Sequence, residues 1–218
     1  GGRVSLAVQP GNSGVVYAFT EQGGVARWAG DTWRVLLGLP DPSIVVGNQG
    51  SYDLSIAVAP DNADRIYLGG ATTLGASTQG LEWSAALYRV DVREELSQLQ
   101  SNVSFLGTSV HADIHALTFT PGDANALWVG CDGGVFRTRD ASYVLATNAA
   151  FDSVNTGLAT THVNVATSPV GEDAIVFTST QDNGCERSVG GPVSTLVTNG
   201  DSGRVLVNPV TAGEVLCT

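Results

Sequence analysis

The hydrophobic pattern of the chain repeats. A short run of apolar and β-branched residues ends near a proline, a polar turn follows, and a second β-rich run comes after the turn. The prolines that mark these runs are Pro10, Pro60, Pro121, Pro169 and Pro209, and they lie 50, 61, 48 and 40 residues apart. Proline fits the end of a strand, where no ladder donor is needed. The pattern therefore predicts two antiparallel strands around each turn.

A second, glycine-rich hairpin follows in several of the repeats. Residues 22–27, 132–137 and 182–187 align with one another around a Gly-Gly or Asn-Gly pair. Such pairs favour two-residue hairpin turns, which require positive φ angles. Each repeat then contains four antiparallel strands, A to D, within about 40–50 residues, which is typical of a propeller blade. Only residues 92–99 show a weak helical pattern. The predicted fold is all-β, a β-propeller of four-stranded antiparallel blades.

The repeat also predicts the domain organisation. Residues 1–218 form a single propeller segment with blades at 1–48, 49–108, 109–158 and 159–198, and the first hairpin of a fifth blade at 199–218. The chain contains no Met, so we do not expect Gly1 to be the original start. An incomplete blade leaves an open sheet edge. We therefore expect a missing chain segment or a partner subunit to supply the remaining blades.

Composition and charge exclude several functional classes. Apolar residues make up 43% of the chain, which is enough for a buried core. There are 21 acidic and 10 basic residues, giving a formal charge of −11. A general nucleic-acid-binding protein needs a basic surface, so nucleic acid is not an expected partner. No apolar run approaches the roughly 20 residues of a membrane-spanning helix.

The three cysteines are Cys131, Cys185 and Cys217. No pair has the C-x-x-C spacing of a zinc ribbon or a thioredoxin motif. One disulfide with one free thiol would fit an oxidising compartment. Three half-buried small apolar residues fit the sequence equally well. The pairing stays open at this stage.

Residues 111–137 carry a resemblance to a known group of proteins. They resemble the secreted BNR-repeat propellers, which include sortilin-like ectodomains, sialidase-like proteins and xyloglucanase-type glycoside hydrolases, and residues 2–10, 52–60, 181–184 and 199–203 agree with this. The resemblance implies a secreted or cell-surface protein. The Asp-box of that group is degenerate here, with Asp31 and Trp33 in one copy and Asp140 in another. We expect these three residues to stabilise turns rather than to act on a ligand.

The geometry of a blade divides the polar residues between two faces. The start of strand A and the B–C hairpin open on one face, whereas the A–B turn opens on the other. Asp61, Asp64 and Asp123 follow the repeat prolines, so we expect them in solvated turns on the second face. The first face is where propellers usually bind their ligands. The predicted ligand-binding rim there consists of Asp53, Asp113, Asp132, Asp182, Asn183 and Asp201.

The rim suggests two kinds of metal site. His111, Asp113 and His115 alternate, so their side chains are expected on one side of the entry to strand A. Two imidazoles and a carboxylate form part of a zinc or other transition-metal site. In the alternative interpretation, His115 bonds to backbone and Asp113 caps a loop. Calcium is a rival ion, because Asp and Asn oxygens on glycine-rich turns suit a hard cation. Neither metal is required by the predicted fold.

Glycoside hydrolysis needs two carboxylates across a cleft. Asp132 lies in a hairpin that resembles the one that carries a catalytic Asp in xyloglucanase-type enzymes, and Asp201 is the second candidate. Those enzymes place their acids on two facing propellers, and this chain holds at most one. Sialidase chemistry needs an arginine triad, but Arg27, Arg137 and Arg187 recur at one blade position, which indicates a structural role.

Nucleophile elbows and phosphate-binding loops are absent. The sequence thus favours a non-catalytic extracellular module that binds a protein or a glycan, or a structural part of a larger secreted or surface assembly. The alternative is part of a glycoside hydrolase that acts on a β-linked polysaccharide with paired Asp residues.

Overall fold

The chain is divided into two compact units. The computed structural model describes residues 2–72, 84–142, 151–158, 162–172, 174–211 and 213–218. Unit 1 comprises Gly1–Thr156 and unit 2 comprises Gly157–Thr218. No helix in these described ranges has the length and apolarity needed to cross a membrane.

Unit 1 contains three four-stranded antiparallel meanders. The strands of the first are β1 (Val4–Gln9), β2 (Asn12–Thr20), β3 (Val25–Ala29) and β4 (Thr32–Leu37). Those of the second are β5 (Ser55–Ala59), β6 (Asn62–Thr72), β7 (Ala85–Glu95) and β8 (Gln98–Phe105). Those of the third are β9 (Ile114–Phe119), β10 (Leu127–Cys131), β11 (Gly134–Thr138) and β12 (Asp152–Ser153). The first two meanders are joined by parallel pairing of β4 with β8. A short helix, α1 (Pro42–Val45), and a 3₁₀ turn (Gly107–Ser109) lie between meanders.

Unit 2 contains a fourth meander and a hairpin. The meander consists of β13 (Val163–Thr167), β14 (Val176–Thr180), β15 (Gly184–Ser188) and β16 (Thr195–Thr198), and the hairpin of β17 (Val205–Val207) and β18 (Val215–Cys217). The first strand of each pair ends one or two residues before a repeat proline. Successive four-stranded meanders of this kind are β-propeller blades. The predicted fold class is confirmed, whereas the single-ring arrangement and the blade boundaries stay predictions.

The weak helical pattern at residues 92–99 does not give a helix. These residues form the ends of β7 and β8 and the turn between them. Leu96 and Ser97 have φ angles of 49° and 64°. These positive angles give the tight turn that matches the twist of a hairpin. The turn has no glycine, so its sequence does not reveal it.

The core repeats along with the strands. The second strand of each four-stranded meander contributes one buried side chain at a similar position: Tyr17, Tyr67, Val129 and Phe177. The two tyrosines also donate hydrogen bonds of 2.8 Å, from Tyr17 to the carbonyl of Ala63 and from Tyr67 to that of Ala141. A buried tyrosine needs such a partner for its hydroxyl. These bonds therefore connect the first meander to the second and the second to the third.

Several polar residues have structural roles. Arg27 pairs with Asp64 at 2.7 Å, and Arg137 lies over the Trp128 ring. Asp64 is therefore ion-paired, which corrects the expectation of a merely solvated turn residue. Asp123 accepts a hydrogen bond from the Asn125 amide within its turn.

The two degenerate Asp-boxes lie at turns. Asp31 occupies the turn between β3 and β4, and Trp33 contacts Trp28 with ring centroids 5.7 Å apart. Asp140 accepts a hydrogen bond of 2.8 Å from the Ser142 hydroxyl, just after β11. These contacts are local and fit turn stabilisation.

The structure contains one disulfide, which lies in unit 2. Cys185 in β15 and Cys217 in β18 form a disulfide, and Cys131 is a half-buried free thiol. The disulfide ties the final hairpin to the fourth meander. Burial raises the pKa of the Cys131 thiol to about 12, so this thiol is almost entirely protonated at neutral pH.

Candidate functional site

The loop before β5 positions Asp53. The backbone amides of Tyr52 and Asp53 both donate to the carbonyl oxygen of Gln49, at 2.7 and 2.8 Å. The Arg3 guanidinium donates to the carbonyl oxygens of Tyr52 and of Leu54, the latter at 3.4 Å. Two backbone hydrogen bonds and the Arg3 side chain thus hold the loop in place. The Asp53 side chain within it is completely buried.

Asp113 enters the site from the residue before β9. Its φ angle is 63°, in the left-handed region that Asp tolerates better than most residues. One of its carboxylate oxygens accepts a hydrogen bond of 3.3 Å from the Gln49 side-chain amide. Its own carbonyl oxygen accepts the backbone amide of Asp132 at 3.3 Å. Asp113 therefore connects the loop before β5 to the turn between β10 and β11.

Two glycines shape the turn that carries Asp132. Gly134 has a φ angle of 104°, and a side chain there would collide with Asn155. Asn155 accepts a hydrogen bond from the Val135 amide and donates one to the Gly133 carbonyl. A side chain at Gly133 would collide with the His111 ring. The Gly-Gly pair is thus required by close packing as well as by turn conformation.

Three carboxyl groups of unit 1, those of Asp53, Asp113 and Asp132, form what we call the acidic cluster. The nearest carboxylate oxygens of Asp113 and Asp132 lie within 4.8 Å of each other. Asp53 interacts electrostatically with both. The cluster thus combines two strand A entries with one B–C hairpin, the face on which the sequence predicted that these three residues would meet.

An aromatic and an imidazole side chain border the acidic cluster. His115 Nε2 lies 2.5 Å from an oxygen of Asp132, and the Tyr52 hydroxyl donates to the same carboxylate at 3.3–3.4 Å. The two rings meet edge to face with centroids 4.7 Å apart. Tyr52 is 49% exposed. This part of the site is therefore accessible to a ligand.

Burial and like charges raise the pKa of Asp53 to about 8. Loss of solvation is the largest cause, followed by the charge of Asp113, a hydrogen bond that protonated Asp53 donates to Asp113, and the charge of Asp132; Arg3 opposes these effects. As carboxylates, Asp53 and Asp113 can only accept hydrogen bonds. Protonation turns Asp53 into a donor, so the pair is stabilised by one shared proton.

Burial also raises the pKa of the Asp113 carboxyl above its ordinary value. The neighbouring charge of Asp132 acts in the same direction, whereas the interaction with Asp53 and the two nearby histidines, His111 and His115, oppose it. Asp113 is half-buried, so unlike Asp53 it can reach a bound molecule. The site thus contains two carboxyl groups, Asp53 and Asp113, whose pKa values are raised.

The remaining predicted rim residues lie together in unit 2. The Asp182 amide donates to a carboxylate oxygen of Asp201 at 3.0 Å, and the Asn183 side chain donates to the Gln181 carbonyl at 3.3 Å. Asp182 has a φ angle of 64° in this turn. Asp201 thus stabilises the conformation of the β14–β15 turn. Asp132 and Asp201, the two catalytic candidates, belong to different units.

The alternation expected for His111, Asp113 and His115 is interrupted. The left-handed backbone of Asp113 turns the chain between the two histidines. Nδ1 of His111 lies 3.2 Å from the Ala112 carbonyl oxygen, whereas His115 contacts Asp132. The ligand atoms of these three side chains, all of which are described, do not lie within 4.8 Å of one another. This geometry does not support the predicted zinc site.

Sequence reasoning missed three parts of the site. Tyr52, Gln49 and Arg3 all contact the loop or the cluster, and their partners are distant in sequence. Tyr52 and Asp132, for example, are 80 residues apart. The only available signal was the position of Tyr52, directly before a predicted rim residue.

Comparisons with known proteins find no family and only distant structural matches. No family model matches the chain, and a search of curated proteins finds no match. Among solved structures, a GH74 enzyme from Niastella koreensis is 14% identical with a TM-score of 0.47, over 98% of this chain and 33% of that one. A GH74 xyloglucanase from Xanthomonas campestris is 19% identical with a TM-score of 0.42, over 94% of this chain and 32% of that one.

YCF48 from Cyanidioschyzon merolae is 14% identical with a TM-score of 0.40, over 95% of this chain and 64% of that one. This chain spans about a third of the length of the two GH74 proteins. At these identities and scores, the comparisons assign no activity to the chain.

Proposed function

We propose that this chain is a non-catalytic β-propeller module of a secreted or cell-surface protein and that it binds a glycan at the acidic cluster. One observation carries the proposal. The exposed Tyr52 ring, His115 and the Asp132 carboxylate converge on one patch, with Tyr52 and His115 both in contact with that carboxylate. Binding sites typically combine an apolar surface with a few convergent polar groups.

The chemistry of this patch suits a sugar. Carboxylate oxygens accept hydrogen bonds from sugar hydroxyls, and an imidazole or a phenol can donate to them. A half-exposed tyrosine offers a flat apolar surface beside a polar group. A basic segment of a protein partner could bind to the same carboxylates. The experiment must therefore distinguish a protein ligand from a glycan.

An extracellular location is supported by the disulfide between Cys185 and Cys217. Disulfides persist in oxidising compartments and are rare in the cytosol. The proposal therefore places the module outside the cell or on its surface.

The proposed function is tested by screening a glycan array with the purified chain. We expect at least one bound class of glycan, and Tyr52→Ala and Asp132→Asn should each reduce that signal at least fivefold. Asp123→Asn is the matched control, because it changes one charge at the opposite end of the same blade. Absence of any glycan signal, together with binding to basic peptides, would replace the glycan with a protein ligand.

A glycoside hydrolase is the second candidate. It is favoured by the close approach of Asp113 and Asp132 and by the raised pKa of Asp113, since a glycosidase needs one protonated and one ionised carboxyl group. The pKa of Asp53 is raised as well, but this residue is completely buried and cannot reach a glycosidic oxygen. This candidate predicts release of reducing ends from β-glucans, abolished by Asp113→Asn. No release across a polysaccharide panel would exclude hydrolysis by this chain.

A further inference from the structure

In the first meander, the arginine that recurs in the third strand has both a carboxylate and an aromatic partner. Arg27 in β3 lies opposite Tyr17 in β2, with its guanidinium 5.7 Å from the centre of the ring. The same guanidinium forms an ion pair of 2.7 Å with Asp64 in β6, the second strand of the next meander. The Tyr17 hydroxyl donates to the carbonyl of Ala63, the residue before Asp64. A carboxylate and a phenol therefore occupy the space around this arginine.

Unit 2 repeats the arginine but not its partners. Arg187 in β15 lies opposite Phe177 in β14, as Arg27 lies opposite Tyr17. Phenylalanine has no hydroxyl group to donate a hydrogen bond. Among the described residues, the half-buried Arg187 side chain takes part in no ion pair and lies over no aromatic ring. Its guanidinium therefore keeps its hydrogen-bond donors for another group.

A glycine stands where the partner carboxylate would be. When the β17–β18 and β5–β6 hairpins are aligned on their repeat prolines, their strands pair in the same register, with Val207 opposite Val215 in the later hairpin. In this alignment Gly213 occupies the position of Asp64. A side chain added at Gly213 would meet no described atom within 4 Å. The space that a carboxylate fills in unit 1 is therefore open in unit 2.

A pocket of about 550 Å³ lies at this point of unit 2. Its walls include four apolar side chains, those of Ile175, Phe177, Val197 and Val215. Arg187 and Gly213 line it as well, and so does the exposed Glu172. Small-molecule sites have volumes of roughly 300–1,000 Å³ and combine apolar walls with a few polar groups. The pocket has both properties, and its guanidinium lacks a partner among the described residues.

We propose that this pocket binds a small organic acid, with the carboxylate of the ligand on Arg187 and its apolar body against Phe177 and the aliphatic walls. A planar guanidinium binds a carboxylate through two parallel hydrogen bonds. The ligand carboxylate takes the place that Asp64 has beside Arg27 in unit 1. Glu172 repels a second negative charge, so the preferred ligand is a monocarboxylate.

This proposal does not depend on the glycan proposal. The pocket lies in unit 2, whereas the acidic cluster lies in unit 1. Binding of a small acid is measured without any glycan present, so either proposal can fail while the other stands.

A titration of the ¹⁵N-labelled chain with 3-phenylpropionate, followed by nuclear magnetic resonance, tests the proposal. We expect a Kd of about 1 mM or tighter for a ligand of this size. The largest shifts should come from Phe177, Val197 and Val215, which line the pocket. The neutral 3-phenylpropanamide has the same apolar body, and it should bind at least tenfold more weakly because it lacks the charge that Arg187 recognises.

Arg187→Gln should weaken the binding of 3-phenylpropionate at least tenfold and remove the preference for the acid over the amide. Arg204→Gln is the matched control, because Arg204 is an exposed arginine of the same unit and does not line the pocket. It should leave the Kd unchanged within a factor of two.

Gly213→Asp supplies the missing carboxylate from the chain itself. It should pair with Arg187 and weaken the binding of 3-phenylpropionate at least tenfold. Gly213→Asn has a side chain of the same size without the charge, so it should weaken binding less than threefold. If Arg187→Gln does not fold, these two variants give the same test, because the space at Gly213 accepts a side chain.

Three results would overturn the proposal. The first is a wild-type chain whose spectrum does not change in about 10 mM 3-phenylpropionate. The second is equal affinity for the acid and the amide, which would show that the guanidinium does not contribute. The third is wild-type affinity in a folded Arg187→Gln or Gly213→Asp variant, which would place the acid elsewhere.

Discussion

At the scale of single residues, backbone conformation decides where the acidic cluster lies. Asp113 occupies the left-handed region, and Gly134 has a φ angle of 104° in the turn that carries Asp132. A residue with a side chain is strained at such angles unless its surroundings compensate. The cluster is therefore sensitive to substitutions that do not touch a carboxyl group.

Gly134→Ala should lower the free energy of unfolding by about 1–3 kcal/mol, because the new methyl group meets Asn155 and the φ angle disfavours alanine. Gly24→Ala is the control. Gly24 aligns with Gly134 in the first repeat, but its neighbour Thr20 lies at an ordinary contact distance of 3.4 Å. The control should change stability by less than about 0.5 kcal/mol. Urea denaturation measures the stability of both variants, and equal losses would show that position 134 does not require glycine more than position 24 does.

Asp53 should make stability depend on pH. Its pKa of about 8 in the folded chain lies above the ordinary value of 3.8, so between these values the folded state holds a proton that the unfolded state has lost. The free energy of unfolding therefore falls as pH rises from about 4 to about 8, by at most about 1.4 kcal/mol per pH unit.

Urea denaturation in EDTA at pH 5, 6, 7 and 8 tests this dependence. Asp53→Asn does not titrate, so the stability of the wild type relative to this variant should decline across the series. Parallel profiles for the two proteins would show that Asp53 has an ordinary pKa.

At the scale of elements, the disulfide stabilises the two-stranded sheet of unit 2. It joins β15 to β18 across a sequence separation of 32 residues. The hairpin of β17 and β18 is two-stranded, and isolated two-stranded hairpins are only marginally stable. The covalent link compensates for this small core.

Alkylation of the denatured, unreduced chain should modify Cys131 alone, and alkylation after reduction should modify all three cysteines. Intact mass measures both states. Cys217→Ala should lower the stability of unit 2 by about 2–4 kcal/mol, whereas Cys131→Ala leaves the disulfide intact. Three modified cysteines without reduction would contradict the disulfide.

The sequence predicted the elements more completely than the site. Alternating apolar runs before prolines located the first strand of each blade, and Gly-Gly pairs located the second hairpins, because both signals are local. The turn at Leu96 and Ser97 has neither signal and was missed. The position of Asp53 and Asp113 near the start of strand A led to their prediction as rim residues.

Local sequence patterns could not predict the contacts that hold the acidic cluster together. The hydrogen bond from Arg3 to the Tyr52 carbonyl spans 49 residues, and that from Gln49 to Asp113 spans 64. Such contacts depend on how blades pack against one another. The left-handed conformation of Asp113 was also invisible in the sequence, because Asp adopts both conformations.

At the scale of the whole molecule, β1 presents an apolar surface. Val4, Leu6 and Val8 alternate along the strand and are 51%, 64% and 48% exposed. Every second side chain of a strand lies on the same face, so these three side chains form an apolar stripe. We expect a further blade, from another segment or a partner subunit, to cover it.

Without such a blade, the purified chain should self-associate through this stripe. Leu6→Glu should lower the mass measured by size-exclusion chromatography with light scattering, because a charge opposes burial of the stripe. Leu96→Glu is the control, since Leu96 is exposed in the β7–β8 turn. A monomeric wild-type chain would contradict self-association.

The decisive measurement compares the affinity of the wild-type chain and of Asp132→Asn for the glycan that gives the strongest array signal. A glycan site at the acidic cluster predicts at least a tenfold weaker Kd for the variant, about 1.4 kcal/mol of binding free energy, and an unchanged Kd for Asp123→Asn. Equal affinity of the wild type and Asp132→Asn, with both proteins folded, would contradict a binding site at the acidic cluster.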